Sequence, residues 1–572
     1  MCEPMMNLSH RTAASEAFTT GTISIVARRS QYLKSISRLP ITNCSKSASD
    51  HFRLADDSPR IPESMRIWMN VSSRKGCLLH SIYLAEDKAI SYSEVLQHPP
   101  MRELSSRRRF LRKAAFAGGG ALLGTVSLNQ ISPRIWREPL VFEPNRSYWA
   151  RSQPRQNPPL TDDIAADVAV LGGGFTGLSA AYYIRSISPH KRVVVLEAKG
   201  CGNGASGRNG AMVLTMTADR YLHFSSAPAI DKKIYDLTAG NIRELSKLSV
   251  ATGIDCELET NGALQVLVTS EDVRAAKAYV QEARSLGMPV EFWDKQRLIR
   301  AIGTEVYEGG FFDPNGGHIH PMKLVHVFKA AAENAGAEIY ENTTVASIEE
   351  GRDHLLHTTG GPTIRAKSLV LATNAFTSRL GFFRNSFVPV HEYVAVTQPF
   401  SEQQLAEIGW RKRVPFNDSR TEVFYLGLTQ DNRIHIGGGS PSYFFNSGVG
   451  EVSDAASHFS QLQRELVRIY PKMSGVSFEL SWDGVVDWSI DESPSVGCTG
   501  KHKNIFYGLG YSGHGVNLTS IFGRIIADLE AGREEPWKHY PFLNASLEYV
   551  PNEPFRWLGA QSGLAWYRLT EP

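Results

Sequence analysis

The stretch at residues 167–177, DVAVLGGGFTG, limits what this chain can fold into more than any other. Residues 168–171 form a short apolar run of the kind that fills a buried parallel strand. Gly172, Gly174 and Gly177 follow at Gly-x-Gly-x-x-Gly spacing, and the apolar LSAAYYI beyond them predicts a helix. Each glycine answers a steric demand: Gly172 the sharp turn, Gly174 close approach of a pyrophosphate to the backbone, Gly177 tight packing of helix on strand. Free N–H groups and the positive pole at the helix start, around Phe175 and Thr176, then hold the phosphates. A second apolar run, RVVVLEA, brings Glu197 to a strand end beside Ala198, where a carboxylate accepts hydrogen bonds from ribose hydroxyls. The glycine spacing alone is weak evidence. Strand, glycines, helix, strand and terminal acid within about thirty residues are strong evidence for a dinucleotide site.

The remainder of the chain sets bounds. Its 572 residues allow two or more domains. With 42% hydrophobic and 21% charged residues it has the composition of a globular protein, and a net charge of +3 gives no sign of a polyanionic partner. Cys2, Cys44, Cys77, Cys201, Cys256 and Cys498 are scattered without a C-x-x-C pair, so neither a zinc site nor a redox dithiol is indicated. No apolar run reaches the roughly eighteen residues that span a bilayer.

Residues 1–100 are rich in Ser and Arg and show no sustained period. They are expected to be mostly disordered, with at best short local helices, or to be a gene-model artefact with translation starting at Met101. Residues 101–130 change character. Ser106-Arg107-Arg108-Arg109-Phe110-Leu111-Arg112 resembles a twin-arginine export motif, and a mildly apolar segment follows at 114–128. It implies the twin-arginine export machinery as a partner and a periplasmic or exported location, with a cytoplasmic one as the alternative. Residues 131–165, rich in Pro, Asn and Arg and including Ser147-Tyr148-Trp149, read as a linker and lead-in. Beyond Glu197, GCGNGASGRNGAM at 200–212 is a loop with many free backbone donors, placed to lie over a cofactor.

DVAVLGGGFTGLSAAYYI, VVVLEA and GASGRNG together resemble the FAD-dependent D-amino acid oxidase superfamily, in its gamma-glutamylputrescine oxidase and glycine oxidase-like branch. LVLATNA at 369–375, IFYGLGYSGHGV at 505–516 and the ending PFRWLGAQSGLAWYRL extend the likeness over roughly residues 148–569. The resemblance implies an α/β fold: a Rossmann-type FAD-binding domain (166–228, 341–380 and 481–535) interleaved with an α+β substrate domain (229–340 and 381–480). The substrate domain is expected to contain a large antiparallel sheet, and a C-terminal tail and helix (536–572) to follow. It implies FAD contacts at Ala205, Ser206, Gly207, Arg208, Asn209 and Gly210, at Val345 and Ala372, and at a second glycine turn with Gly510, Ser512, Gly513, His514, Gly515 and Val516. There a helix start stabilises negative charge on reduced flavin. His391, Tyr393, Tyr425 and Trp482 lie in segments expected to line the substrate side. With Tyr511 and His514, the first three are the catalytic candidates.

Asn209 stands where some relatives tether flavin through a His, and no Cys lies within 481–491, so FAD is expected to be non-covalent. His318 and His320 form an i, i+2 pair without an acidic or Cys partner, and no metal is expected. The implied reaction is oxidation of the C–N bond of a small-molecule amine or amino acid by hydride transfer to flavin. It gives an imine that hydrolyses, with oxygen or a quinone as acceptor. A non-catalytic FAD-stabilised binding protein and an RNA-modifying FAD enzyme are the alternatives. The RNA reading finds no methyltransferase domain in 1–100, and nucleic acid is not an expected partner. In this branch an Arg often stands in a strand of the form aromatic-x-Arg-x-Thr; Gly427, in YLGLT, takes that place and argues for a substrate whose carboxylate is remote or missing.

Overall fold

The computed structural model describes residues 144–220, 222, 224–450, 452 and 455–570, together with three strands within 51–84. Those strands belong to a unit separate from the body. Ile67–Arg74 pairs antiparallel with Cys77–Leu84, and His51–Phe52 joins the other edge of Ile67–Arg74. No strand was expected here. Two runs rich in β-branched and aromatic residues flank Lys75-Gly76 in the sequence, a hairpin signal that outweighs the missing period. The twin-arginine-like segment at 101–130 lies outside the described residues.

In the body the glycine stretch folds as read. Ile164–Leu171 leads into the helix Phe175–Ile187, and Val193–Leu196 lies parallel beside the first strand, from Val168 opposite Val193 to Leu171 opposite Leu196. Thr363–Leu371 flanks the first strand on its other side, also parallel, and Ile505–Leu509 runs parallel to Thr363–Leu371 in turn. Successive residues of these strands face opposite layers. Val168, Val170 and Val195 pack with Phe175, Leu178 and Phe522 of the helical layer, whereas Ala169, Leu171 and Val194 pack with Leu356 and Phe387. Burial on both faces is why these strands read as unbroken apolar runs.

The second sheet is ordered Phe478–Trp488, Val388–Thr397, Ile434–Gly438, Phe424–Leu428, Phe416–Asp418, Ala263–Leu267, Gly309–Asp313 and Glu291–Asp294. It is antiparallel except where Phe416–Asp418 runs parallel to Ala263–Leu267. Two expected boundaries move. Glu338–Tyr340, assigned to the substrate segment 229–340, extends the dinucleotide sheet beside Val193–Leu196. Phe478–Trp488, split at 481, belongs entirely to the substrate sheet. The first is too short to show a period, and the second is half-buried along most of its length, which blurs its alternation.

The lead-in is also not merely a linker. Ser147 accepts from Ala150 N–H and caps the turn Tyr148–Ser152, which drives Trp149 into the core with 1% of its surface exposed. The Trp149 indole meets His318, His320, His435 and Trp482 edge-on or tilted, and its Nε1 donates to the Asn209 carbonyl at 2.9 Å.

Val388–Thr397 shows how the substrate sheet is used. Tyr393 and Ala395 pack into a core with Leu462 and Leu466 of the outer helix Ala456–Ile469. Val394 and Val396 pack with Trp482 and the dinucleotide helices. The sheet therefore has an outer face beneath that helix and an inner face toward the dinucleotide domain.

Candidate active site

A cavity of about 390 Å³ is lined by Gly172, Gly174, Phe175 and Thr176 of the first glycine turn, by Glu197, Ala198 and Val345, and by Ala205, Ser206, Arg208 and Asn209. Ala372, Trp482, Asp487, Tyr511, Gly513, Gly515 and Val516 complete the part that concerns chemistry. Gly177, Gly207, Gly210, Gly510, Ser512 and His514 are not in its wall; they support it. A Cβ at Gly177 would drive into the Gly172 carbonyl. Gly207 O accepts from Asn145 and from Ser147 Oγ, and Gly210 lies against the Tyr425 ring. Ser512 Oγ contacts Ser489 Oγ at 3.1 Å, and His514 is the residue before the helix Gly515–Glu530.

The turn at Gly172 and the close helix packing at Gly177 are seen in the backbone. Gly172 has φ +101°, and a Cβ there would lie 2.5 Å from the Ala372 carbonyl oxygen. At Gly174 a Cβ would lie 2.8 Å from Ser206 Oγ, which itself accepts from the Phe175 N–H at 2.9 Å. Gly174 and His514 precede two helices, Phe175–Ile187 and Gly515–Glu530, and neither supplies a side-chain cap. Two positive helix poles thus converge on one cavity. Between them the Tyr511 hydroxyl meets Thr176 Oγ1 at 2.7 Å.

Glu197 Oε2 accepts from Gly173 N–H at 2.7 Å and Oε1 from Lys199 N–H at 3.0 Å, which fixes the carboxylate at the cavity wall. Burial pushes its pKa up, and the backbone donors oppose that shift. Backbone free of side chains at the turn, two open helix starts and a fixed carboxylate suit a dinucleotide bearing phosphates and ribose. These residues fit FAD.

Asp487 was not anticipated. It is 1% exposed, its carboxylate accepts from Gly510 N–H at 2.6 Å, and its own N–H donates to Asn374 Oδ1 at 3.0 Å. Burial raises its pKa to about 7. It holds the second glycine turn in place. A lone Asp near the end of the strand Phe478–Trp488 carries no spacing signal, so sequence alone gave no reason to single it out.

The catalytic candidates separate. His391 and Tyr393 lie on the outer face: His391 Nδ1 is 3.0 Å from Asp483 Oδ2, its Nε2 is 3.1 Å from the Gly448 carbonyl, and the Tyr393 ring stacks on His458. Neither lines the cavity. Tyr511 lines it, but as the strut to Thr176, and His514 sits behind the wall. Tyr425 is on the inner face, over Gly437 and against Gly210. Because strand neighbours point to opposite faces, Glu392, between His391 and Tyr393 on Val388–Thr397, shares the inner face.

Gly427 also faces inward. A Cβ there would strike His435 Nε2 and lie 3.1 Å from His318 Cδ2. His318 and His435 meet Nε2 to Nε2 at 2.9 Å; burial lowers the His435 pKa to about 3 and that of His318 well below its usual value. Both imidazoles are neutral, one donating to the other, and they fill the space an arginine at 427 would need. His320 Nδ1 instead accepts from Lys323 N–H at the start of the helix Pro321–Asn334.

Comparison with known proteins agrees with this geometry. The oxidoreductase OrdL of Haemophilus influenzae is 28% identical over 74% of this chain and 97% of its own length. The gamma-glutamylputrescine oxidoreductase of Escherichia coli is 29% identical over 75% of this chain and 99% of its own. The crystal structure of glycine oxidase from Geobacillus kaustophilus superposes with a TM-score of 0.57 at 23% identity, covering 67% of this chain and 98% of that one, which shows the shared fold. A model of the FAD dependent oxidoreductase family matches residues 167–529, from the first glycine strand to the end of the last dinucleotide helix. On that match, and on a cavity built to hold the cofactor, the chain belongs to the FAD dependent oxidoreductase family.

Proposed function

We propose that the enzyme oxidises the C–N bond of a primary or secondary amine whose carboxylate is remote or absent. The observation that carries this reading is the inner face at Gly427, where the His318–His435 pair occupies the room a carboxylate-binding arginine would need. A fork of guanidinium N–H groups is the usual way to hold an α-carboxylate. The E. coli relative, named for gamma-glutamylputrescine, supports an amine of this kind.

When bound, FAD supplies the acceptor for the electron pair leaving the C–H bond beside nitrogen. The protein's part is to bind, orient and exclude water. The glycine turn, Glu197 and the 205–210 loop hold the cofactor, and Asp487 keeps the second glycine turn, with the Gly515 helix pole, facing the cavity. Asn209 is committed to the loop itself: its Nδ2 donates to the carbonyls of Ala205 and Ser206, and its Oδ1 accepts from Ala211 N–H. That favours dissociable FAD; a yellow colour remaining with acid-precipitated protein would contradict it.

Only a neutral amine has a lone pair to stabilise the cation developing at the adjacent carbon, so the rate rises with pH through the amine's pKa. In anaerobic stopped-flow mixing, a primary or secondary alkylamine bleaches the flavin, while glycine, sarcosine and D-alanine do so slowly at best. Fast bleaching by any of those three in the ordinary KM range of about 1 μM to 1 mM would overturn the reading. The twin-arginine-like segment supports export of the folded protein, with oxygen or a quinone as acceptor; cell fractionation tests the location.

A further inference from the structure

Glu392 is a carboxylate in an unusual place. It stands directly opposite Gly484, so its side chain shares the inner face with that glycine. Gly484 lines the cavity, and a Cβ on it would lie 3.3 Å from Arg208 Cβ in the cofactor loop. Further along the same face Val394 is flanked by Gly437 and Trp482, and the Tyr425 ring covers Gly437. Glu392 and Tyr425 thus share the inner face with Val394 and Trp482, next to the 205–210 loop; neither Glu392 nor Tyr425 is in the cavity wall itself, but Gly484 opposite Glu392 is. Protein surrounds Glu392 densely enough to raise its pKa to about 7, yet part of its surface stays exposed.

Among the described residues no hydrogen bond or ion pair engages this carboxylate. Its charge reaches Tyr425, whose hydroxyl is pushed further up by it. The nearest cation of the loop is already held: the Arg208 guanidinium donates to the carbonyls of Asn203, Asp483 and Pro144. A buried carboxylate without a counter-ion is costly unless a ligand supplies one.

We propose that Glu392 is the specificity residue of this site: it pairs with the cationic nitrogen of an amine substrate and repels substrates that carry a carboxylate beside that nitrogen. This rests on the amine-oxidation reading and adds to it. Where the missing arginine explains why an α-carboxylate gains no partner, Glu392 makes such a group actively unfavourable. The ammonium ion gathers at the carboxylate, and the neutral amine needed for oxidation forms when one ammonium proton passes to the Glu392 carboxylate, leaving it as the neutral acid.

The test uses FAD-loaded enzyme and two ions of nearly the same shape and opposite charge, tert-butylammonium and pivalate. Neither has a C–H bond beside the nitrogen or the carboxyl carbon, so binding is read from the flavin spectrum without turnover. The native enzyme binds tert-butylammonium more tightly than pivalate. Glu392→Gln weakens tert-butylammonium at least tenfold and tightens pivalate, whereas Glu392→Asp keeps the native order. If the native enzyme prefers pivalate, or if Glu392→Gln leaves both affinities unchanged, the proposal is wrong. If no amine bleaches the flavin of the native enzyme while the binding pattern is as expected, the amine-oxidation reading fails and the cation site stands.

Discussion

Gly174→Val should give a protein that purifies colourless and does not take up added FAD. Two collisions combine. The first is already in the protein: a Cβ at 174 lies 2.8 Å from Ser206 Oγ, and moving Ser206 removes the acceptor of the Phe175 N–H. The second comes with the cofactor, since the branched side chain would occupy the approach to the helix start where the pyrophosphate binds. A buried N–H left without an acceptor costs about 1–3 kcal/mol by itself. A variant with full flavin content would show that the phosphates lie elsewhere. Glu197→Ala should act on the same equilibrium more mildly, losing a charge-assisted bond worth about 1.5–3 kcal/mol. Unchanged flavin dissociation would remove Glu197 as the ribose ligand.

The second large effect is on stability. Glu392 has its pKa raised by burial from 4.5 to about 7. The folded protein therefore keeps this proton at pH values where the unfolded chain has lost it. Stability from this group is present below the unfolded pKa and is lost as pH rises toward 7. At about 1.4 kcal/mol per unit, the loss in the apoprotein amounts to roughly 2–3 kcal/mol once some access to water is allowed. Glu392→Gln carries no such penalty. In urea unfolding of the apoprotein it should match the native chain near about pH 4 and exceed it by roughly 2–3 kcal/mol near about pH 8. Asp487 and Asp418, with pKa values of about 7 and about 6, also titrate here, but they are common to both proteins and cancel in the difference. An equal gap at both pH values would mean that Glu392 is not buried as a lone acid.

The first glycine turn and Glu197 stand out because steric demands within a few residues leave a spacing in the sequence, whereas the second turn and the 205–210 contacts were expected from the family resemblance. His391 and Tyr393 were expected on the substrate side, and the strand Val388–Thr397 that carries them belongs to the expected antiparallel sheet, but the direction of its side chains was not legible. His391 and Tyr393 were chosen as chemically suggestive residues, and alternation puts both on the outer face and Glu392 on the inner. Which face turns inward depends on helix Ala456–Ile469 packing on the other side, and that is tertiary information. Trp149 was missed for a similar reason. Its neighbours look like a loop, and what buries it is a set of rings from three distant segments. Asp487 acts on Gly510 across a turn that no spacing rule connects.

The dinucleotide sheet has a consequence for how the protein is made. Its first strand is Ile164–Leu171, and Ile505–Leu509 is added beside Thr363–Leu371 more than three hundred residues later. The helix after that late strand supplies the second pole, and Tyr511 ties it to Thr176. A nascent chain that has emerged only as far as the substrate sheet holds half a cradle. FAD capture must wait until Ile505–Leu509 and the helix Gly515–Glu530 have emerged, and it then joins strands that lie far apart in the chain.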